Sequence, residues 1–200
     1  MTHTFISIQG SYNGFSVSLF RNSSHIDTIS NSTEKTSCSL IPAIDSLLKK
    51  HNLSIKNLSF IAVDQGPGAF TSLRVTITLV NSIAFAESIP LVGVDGLEAL
   101  AHATFEQVLN QHKTVEAPNV LVTLLNAYNK EVFFAIHPIG KDGKFIDPAI
   151  EKNYKKIDTL LNELASKFPN KKMLFTGNGS DLFREKITDA FENAIFLYST

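Results

Sequence analysis

The first part of the chain alternates apolar and polar residues in a pattern that predicts a β-meander. Phe5 to Ile8 is a short apolar run, and a segment rich in turn residues follows at 9–14. From Phe15 to Phe20, apolar side chains alternate with serines, which is typical of a strand with one buried face. After a second turn, Ile26 to Ile29 is predicted to be the third strand.

The spacing of apolar residues then changes to that of a helix. The polar segment 31–39 is predicted to be a loop. Four apolar residues recur after it at helical intervals: Leu40, Ile44, Leu47 and Leu48. The basic residues at 49–51 suit the C-terminal end of this helix, where the helix dipole favours positive charge.

The segment 60–87 predicts a buried strand, a tight turn and a long helix. Phe60 to Val63 is an apolar run, and the turn after it carries Gly-Pro-Gly at 66–68. Thr71 and Ser72 are suitable N-cap residues for the helix. Because this helix has almost no polar face, we expect it to be buried on several sides, by its own core and by a second surface.

Two functional interpretations of this segment stay open beside a purely structural one. Free amides at the helix N-terminus, with Arg74 one turn in, form a candidate anion site. Alternatively, the helix forms a protein interface. The candidate residues for these two roles are Gly66, Pro67, Gly68, Phe70, Thr71, Arg74, Ile77, Val80 and Ala84. The turn lacks the Gly-Lys-Ser/Thr of a P-loop and the Gly-x-Gly-x-x-Gly of a dinucleotide site.

The order of predicted elements indicates an α/β fold with two halves. Pro90 ends the helix, and Leu91 to Val94 is predicted to be a strand, so that the first half reads βββαβαβ. This order is that of the ribonuclease H-like core, which occurs twice in sugar kinases, actins and heat-shock ATPases. The second half is predicted to be a reduced copy, and the halves are placed at residues 1–112 and 113–200. The first half ends with a predicted helix at 97–110. The second half has predicted helices at 157–168 and 182–191, predicted strands at 120–125, 131–136, 173–175 and 194–198, and predicted connecting segments at 113–118, 138–148 and 177–180.

Composition and charge restrict the binding partners and the cellular compartment that we expect for the protein. The 200 residues carry a net charge of −1, which provides no electrostatic attraction for nucleic acid, so any contact with RNA is expected through a partner. Cys38 is the only cysteine and suits a reducing compartment. The first residues lack the features of a signal peptide and no segment is long and apolar enough for a membrane span, so we expect a cytoplasmic protein.

The sequence predicts no catalytic or metal site of its own. It contains neither a Gly-x-Ser-x-Gly nucleophile elbow nor a His-Glu-x-x-His motif, and its histidines are scattered. Asp64 and Asp95 follow predicted strands, where acid–base groups gather in such folds, but turn or N-cap roles explain them better.

The turn and helix sequence resembles a known family. Residues 65–74, Gln-Gly-Pro-Gly-Ala-Phe-Thr-Ser-Leu-Arg, resemble the Gly-Pro-Gly-Ser-Phe-Thr-Gly-Leu-Arg signature of the TsaB family, also called YeaZ. Further similarity lies in register at the first hairpin, at Leu40 to Pro42, at Leu91 to Val94, at Asn126 to Phe133 and at Phe175 to Gly179.

The resemblance implies two ribonuclease H-like halves and a non-catalytic role. Members of this family bind TsaD, in which nucleotide and metal chemistry takes place, and support formation of threonylcarbamoyladenosine beside the tRNA anticodon. The resemblance therefore implies a TsaD heterodimer, an associated ATPase TsaE, a possible homodimer, no cofactor in this chain, and tRNA contact only through the complex. Because the expected interface uses helices of the N-terminal half, we expect Val80→Asp or Ala84→Glu to abolish dimers of a folded monomer.

Several residues depart from the family pattern. Gln9 replaces an Asp, Ser72 a Gly, and Asn126 and Tyr128 an Asp and an Arg; residues 34–36 lack the usual His. The family's usual C-terminal helix and tail are not found before residue 200. Two alternative functions are a small-molecule kinase or ATPase of the same fold, which Gln9 disfavours, and a peptidase, for which the sequence offers no nucleophile with its base.

Overall fold

The chain forms two compact units, residues 1–96 and residues 97–200. The computed structural model describes residues 2–10, 14–32, 36–111, 118–140, 146 and 148–197. Most of the predicted connector 113–118, residues 141–145 and 147 of the predicted connecting segment 138–148, and residues 34 and 35 lie outside the described residues. The predicted halves divide after residue 112, whereas the compact units divide after Gly96.

The first unit is a five-stranded mixed sheet with helices. Its elements are β1 Thr4–Gln9, β2 Phe15–Arg21, β3 Ser24–Asn31, α1 Thr36–Lys50, a 3-10 turn Ile55–Asn57, β4 Phe60–Asp64, α2 Phe70–Glu87 and β5 Leu91–Val94. The strand order is β3-β2-β1-β4-β5. β1, β2 and β3 pair antiparallel, whereas β4 pairs parallel with β1 and β5 parallel with β4. The predicted βββαβαβ order is confirmed.

One face of this sheet is buried under α1 and α2. Ile6, Val17 and Leu19 are among the strand residues that are almost fully buried, which confirms the predicted alternation. α1 begins at Thr36, so the last part of the predicted loop 31–39 is helical. Thr36 is itself buried, and Leu40 one turn later is fully buried, so packing extends the helix over residues whose polar sequence favours a loop.

The turn between β4 and α2 is held by three backbone hydrogen bonds. The Gly66 amide donates to Oδ1 of Asp64 (2.8 Å), and the Gly66 carbonyl accepts from the Gly96 amide (2.7 Å). The Gln65 amide donates to the Val94 carbonyl (2.9 Å). Gly66 has a φ of +92°, and a Cβ there would lie 2.8 Å from Cδ1 of Leu73. This position therefore requires glycine.

α2 begins at Phe70 and takes no side-chain cap. Its N-cap is Ala69, so the predicted capping role of Thr71 and Ser72 is wrong. The turn bonds and the first helical bond, from the Leu73 amide to the Ala69 carbonyl (3.0 Å), set the start of the helix instead.

Only a narrow stripe of α2 is buried in the core of its own unit. The buried residues are Thr76, Val80 and Ala84, spaced one turn apart, and Val80 has no exposed surface. Thr76 packs against Gly10 at the end of β1, where a Cβ would lie 2.1 Å from the Thr76 Oγ1. Val80 and Ala84 were candidate interface residues, but they belong to the interior of the monomer.

The second unit repeats the topology of the first. Its elements are α3 Gly96–Gln111 (apart from its first residue), β6 Val120–Asn126, β7 Glu131–Pro138, β8 Glu151–Lys156, α4 Ile157–Lys167, β9 Met173–Thr176, α5 Asn178–Leu182, α6 Arg184–Ala190 and β10 Ile195–Leu197. The sheet order β10-β9-β6-β7-β8 matches that of the first unit, with β6 antiparallel to β7 and parallel to β9. The predicted second ribonuclease H-like half is confirmed.

Two elements of the second unit differ from the predictions. β8, Glu-Lys-Asn-Tyr-Lys-Lys, has no apolar alternation; it is an edge strand whose charged side chains remain at the surface. The predicted glycine turn at 177–180 is instead the start of α5, with Gly177 at its N-cap.

The inner stripe of α2 generates a first prediction. Val80→Asp buries a charge without a partner in the core, and we expect a loss of at least about 4 kcal/mol of unfolding free energy. We therefore expect Val80→Asp to destabilise the monomer itself, and no longer expect a folded monomer that is unable to form dimers. Urea unfolding followed by circular dichroism measures the effect, and Asn81→Asp, at the neighbouring exposed position, is the matched control. Near-equal stabilities of the two variants would contradict the assignment of Val80 to the core.

The turn generates a second prediction. Gly66→Ala places a side chain at positive φ and against Leu73, so we expect a loss of about 1–3 kcal/mol. Ser72→Ala removes a hydroxyl that caps nothing and is expected to change stability by less than about 0.5 kcal/mol. Denaturant midpoints for both variants measure this. A larger effect of Ser72→Ala than of Gly66→Ala would restore the capping role that was predicted from the sequence.

A cluster of charges joins β3 to the end of α1. Oδ2 of Asp27 lies 2.7 Å from Nζ of Lys50 and 2.8 Å from Nε2 of His51. Lys50 and, after it, His51 hold the pKa of Asp27 well below its usual range. A lowered folded-state pKa means that the contribution to stability is present above the unfolded pKa of about 3.9 and is lost as the pH falls below it.

This cluster generates a third prediction, on pH dependence. Asp27→Asn is expected to lower stability at pH 7 and to flatten the fall in stability between about pH 4 and pH 2. Unfolding free energies across this range measure the change. The control is Asp45→Asn, because Asp45 is well exposed and its ion pair among the described residues is with Lys49 on its own helix. If the unfolding free energy of Asp27→Asn falls as steeply with decreasing pH as that of the wild type, the lowered pKa of Asp27 does not contribute to the acid sensitivity.

Candidate functional site

The outward surface of α2 exposes aromatic residues. Phe70 at its start is 72% exposed and Phe85 near its end is 90% exposed. The other exposed positions of the helix are Thr71, Arg74, Thr78, Asn81, Ser82, Ala86 and Glu87. We call the surface formed by Phe70, Arg74, Thr78, Asn81, Ser82 and Phe85 the outer face of α2. Isolated apolar residues are common on surfaces, but two exposed phenylalanines on one helix face mark a candidate contact surface.

The polar side chains of the outer face bond back to the helix itself. Nδ2 of Asn81 donates to the Ile77 carbonyl (2.8 Å), and Oγ of Ser82 donates to the Thr78 carbonyl (2.8 Å). One N–H of Asn81 and the hydroxyl of Ser82 are therefore already bonded, so covering the middle of the face would leave fewer polar groups unpaired than its sequence suggests.

A shallow groove lies at the N-terminal end of the outer face. It has a volume of about 380 Å³ and is lined by Phe70, Thr71, Arg74, Val75, Thr78 and Leu79. The guanidinium carbon of Arg74 lies 5.1 Å from the centre of the Phe70 ring, at cation–π distance. The groove therefore combines an apolar floor with one fixed cation.

The residues predicted for the site fall into three places. Gly66, Pro67 and Gly68 form the turn before α2, and Gly66 has the structural role described above. Phe70, Thr71 and Arg74 line the groove, and Ile77 is half-buried. Val80 and Ala84 lie in the core. The anion-binding interpretation of the turn stays a prediction.

Of the two aspartates considered for acid–base chemistry, Asp64 has a structural contact. Its Oδ1 accepts the Gly66 amide, whereas Asp95 lies directly before α3. At the end of β6, the Asn126 amide donates to Oδ1 of Asn178 (2.9 Å), and Oδ1 of Asn126 accepts the Tyr128 amide (2.9 Å). Within the described part of the chain, no group of His, Cys, Asp and Glu residues is arranged to hold a metal ion.

Sequence reasoning overlooked a buried histidine in the second unit. The side chain of His137 is fully buried on β7, with Nε2 3.3 Å from Oε2 of Glu98 and Nδ1 3.2 Å from the Ile146 carbonyl. Oε1 of Glu98 also lies 3.3 Å from Nζ of Lys152. The only signal in the sequence is a histidine inside an apolar strand, which does not reveal its partners.

No helix among the described residues has both the length and the apolar character needed to cross a membrane.

Comparisons with known proteins agree on one family. A family model described as TsaD, tRNA N6-adenosine threonylcarbamoyltransferase, matches residues 30–198. The tRNA threonylcarbamoyladenosine biosynthesis protein TsaB of Buchnera aphidicola is 24% identical over 98% of this chain and 85% of its own length. The TsaB protein of Haemophilus influenzae is 31% identical over 48% of this chain and 37% of its own length.

A solved structure supports the same fold. YeaZ from Pseudomonas aeruginosa superposes with a TM-score of 0.72 at 20% identity, covering 92% of this chain and 80% of that one. Together with the family model, which spans most of the chain, and the two TsaB relatives, this similarity confirms the resemblance drawn from the Gly-Pro-Gly turn. The chain belongs to the family described as TsaD, tRNA N6-adenosine threonylcarbamoyltransferase, and within it to the TsaB (YeaZ) proteins.

Proposed function

We propose that this protein is a non-catalytic subunit that binds a TsaD-type transferase and so supports threonylcarbamoylation of tRNA. The observation that carries the proposal is the outer face of α2, with Phe70 and Phe85 exposed at its two ends. The names of the family model and of the TsaB relatives supply the pathway.

The outer face has the properties of a docking surface for another helix. A helix that lies in a shallow groove uses anchors spaced by one or more turns, as Phe70, Arg74 and Phe85 are on α2. Burying a phenylalanine side chain contributes about 1.5–3 kcal/mol, so two such anchors supply a substantial part of a binding free energy. The hydrogen bonds that Asn81 and Ser82 already donate to helix carbonyls lower the desolvation cost of covering the outer face.

The non-catalytic role is supported by how the polar residues at the strand ends are used. Asp64 holds the turn before α2, and Asn126 holds the turn after β6. Gln9, at the end of β1, has an uncharged side chain where the family resemblance leads us to expect an acid. In this proposal, ATP and metal bind to the TsaD-type partner, and TsaE and tRNA join through the complex.

The net charge of −1 fits indirect contact with tRNA. A protein that neutralises phosphates needs a basic surface, and this chain has 18 basic and 19 acidic residues. In this proposal the partner, in the cytoplasm, provides most of the attraction for tRNA. A homodimer that uses the same outer face would compete with the heterodimer.

The proposal generates a fourth prediction. Mixed with the TsaD-type subunit of the same organism, the wild-type chain is expected to form a one-to-one complex in size-exclusion chromatography with light scattering. Phe85→Glu places a charge in the contact and is expected to weaken this complex at least about tenfold. Leu182→Glu is the matched control, because Leu182 is an exposed apolar residue of the second unit.

The fold of both variants is checked by their unfolding midpoints, which are expected to be close to that of the wild type. The absence of any wild-type complex, with or without nucleotide, would refute the proposed function. An equal loss in both variants, or none in Phe85→Glu, would refute the assignment of the interface to the outer face of α2.

A further inference from the structure

Arg74 is the single charged residue among the six that form the outer face of α2. No carboxylate occurs on the helix before Glu87, at its opposite end. Among the described residues, the ion pairs of the first unit involve Asp27 and Asp45 with partners on α1 or directly after it, and none includes Arg74. A guanidinium has donors in a planar fork that match a carboxylate, so Arg74 suits an acidic partner group.

The aromatic contact restricts where this charge lies. The Arg74 guanidinium sits over the Phe70 ring, and both residues line the groove at the start of α2. Stacking on the Phe70 ring already restricts the Arg74 side chain. Less conformational entropy is therefore lost when Arg74 binds a partner than for a freely moving arginine. The positive charge of Arg74 is therefore held at the rim of the apolar groove before a partner binds.

A second copy of this chain does not supply the missing carboxylate. If two α2 helices pair antiparallel so that Phe70 of each lies opposite Phe85 of the other, Arg74 faces Asn81. The amide oxygen of Asn81 can accept a hydrogen bond from Arg74, but Asn81 is uncharged and cannot replace a carboxylate. Self-association in this register leaves Arg74 without an acidic group and buries it near another polar residue. A different protein is thus the better occupant.

We propose that the groove formed by Phe70, Arg74, Val75 and Leu79 receives an apolar side chain flanked by a carboxylate from the partner subunit, and that Arg74 thereby favours this partner over a second copy of the chain. The inference rests on the proposed function, because it concerns the same surface. It goes further by assigning the chemistry of the partner's contact and the residue that selects it.

The test compares charge variants of the full chain with the TsaD-type subunit of the same organism. Arg74→Glu reverses the charge, Arg74→Met removes it while keeping an apolar stem, and Lys56→Glu makes the same change in net charge on the exposed 3-10 turn. Dissociation constants are measured by isothermal titration at about 50 and about 300 mM NaCl, where screening differs. Self-association of each variant is measured by sedimentation equilibrium.

Arg74→Glu is expected to weaken the heterocomplex at least about tenfold at low salt, with Arg74→Met intermediate and Lys56→Glu near the wild type. The difference is expected to shrink at high salt, and self-association is not expected to weaken. If the wild type binds and Arg74→Glu binds as Lys56→Glu does, this inference fails while the proposed function stands. If Arg74→Glu weakens self-association as much as it weakens the heterocomplex, Arg74 does not favour the partner subunit over a second copy of the chain. A wild type that does not bind the subunit would refute the proposed function itself, and this inference with it.

Discussion

The backbone of Gly66 is the point on which the arrangement of the first unit depends. Its amide bonds to Asp64 at the end of β4, and its carbonyl accepts from Gly96 beyond β5. One residue at positive φ therefore connects two strand ends and the start of α2. Because α2 starts soon after this turn, the turn fixes where the helix begins relative to β4 and β5.

α2 combines two roles on opposite sides. Thr76, Val80 and Ala84 pack inward, whereas Phe70 and Phe85 point into solvent. The inner stripe is narrow and contains a threonine and an alanine, so the helix lies close to Gly10 and the sheet. The two phenylalanines are left outside. Stability and recognition thus use different residues of one helix.

The repeated topology places comparable turns in both units, and polar groups there serve the backbone. Asp64 holds the turn after β4, while Asn178, after β9, accepts the amide of Asn126. In folds of this type the carboxyl ends of strands are where ligands gather. In this chain the side chains at these ends already bond to nearby amides, which agrees with a protein that acts through its surface.

Much of the fold could be predicted because apolar periodicity reports burial directly. The alternation in β2 and the helical spacing in α1 place Val17, Leu19, Leu40 and Ile44 in the core, where the structure has them. The order of elements then indicates the ribonuclease H-like topology, and the Gly-Pro-Gly turn identifies the family. β8 escaped prediction because an exposed edge strand needs no apolar face.

The candidate site depended on tertiary packing. In α2 apolar residues occur on nearly all sides of the helix, so periodicity does not distinguish inside from outside, and Val80 and Ala84 were interface candidates although they are buried. Similarly, the sequence offers Ser72 as a cap, but the Gly66 turn already sets the start of the helix. The sequence by itself determined which segments form strands and helices and which family they belong to. Only the tertiary structure decided which side of α2 faces solvent, because that depends on the neighbours against which the helix packs.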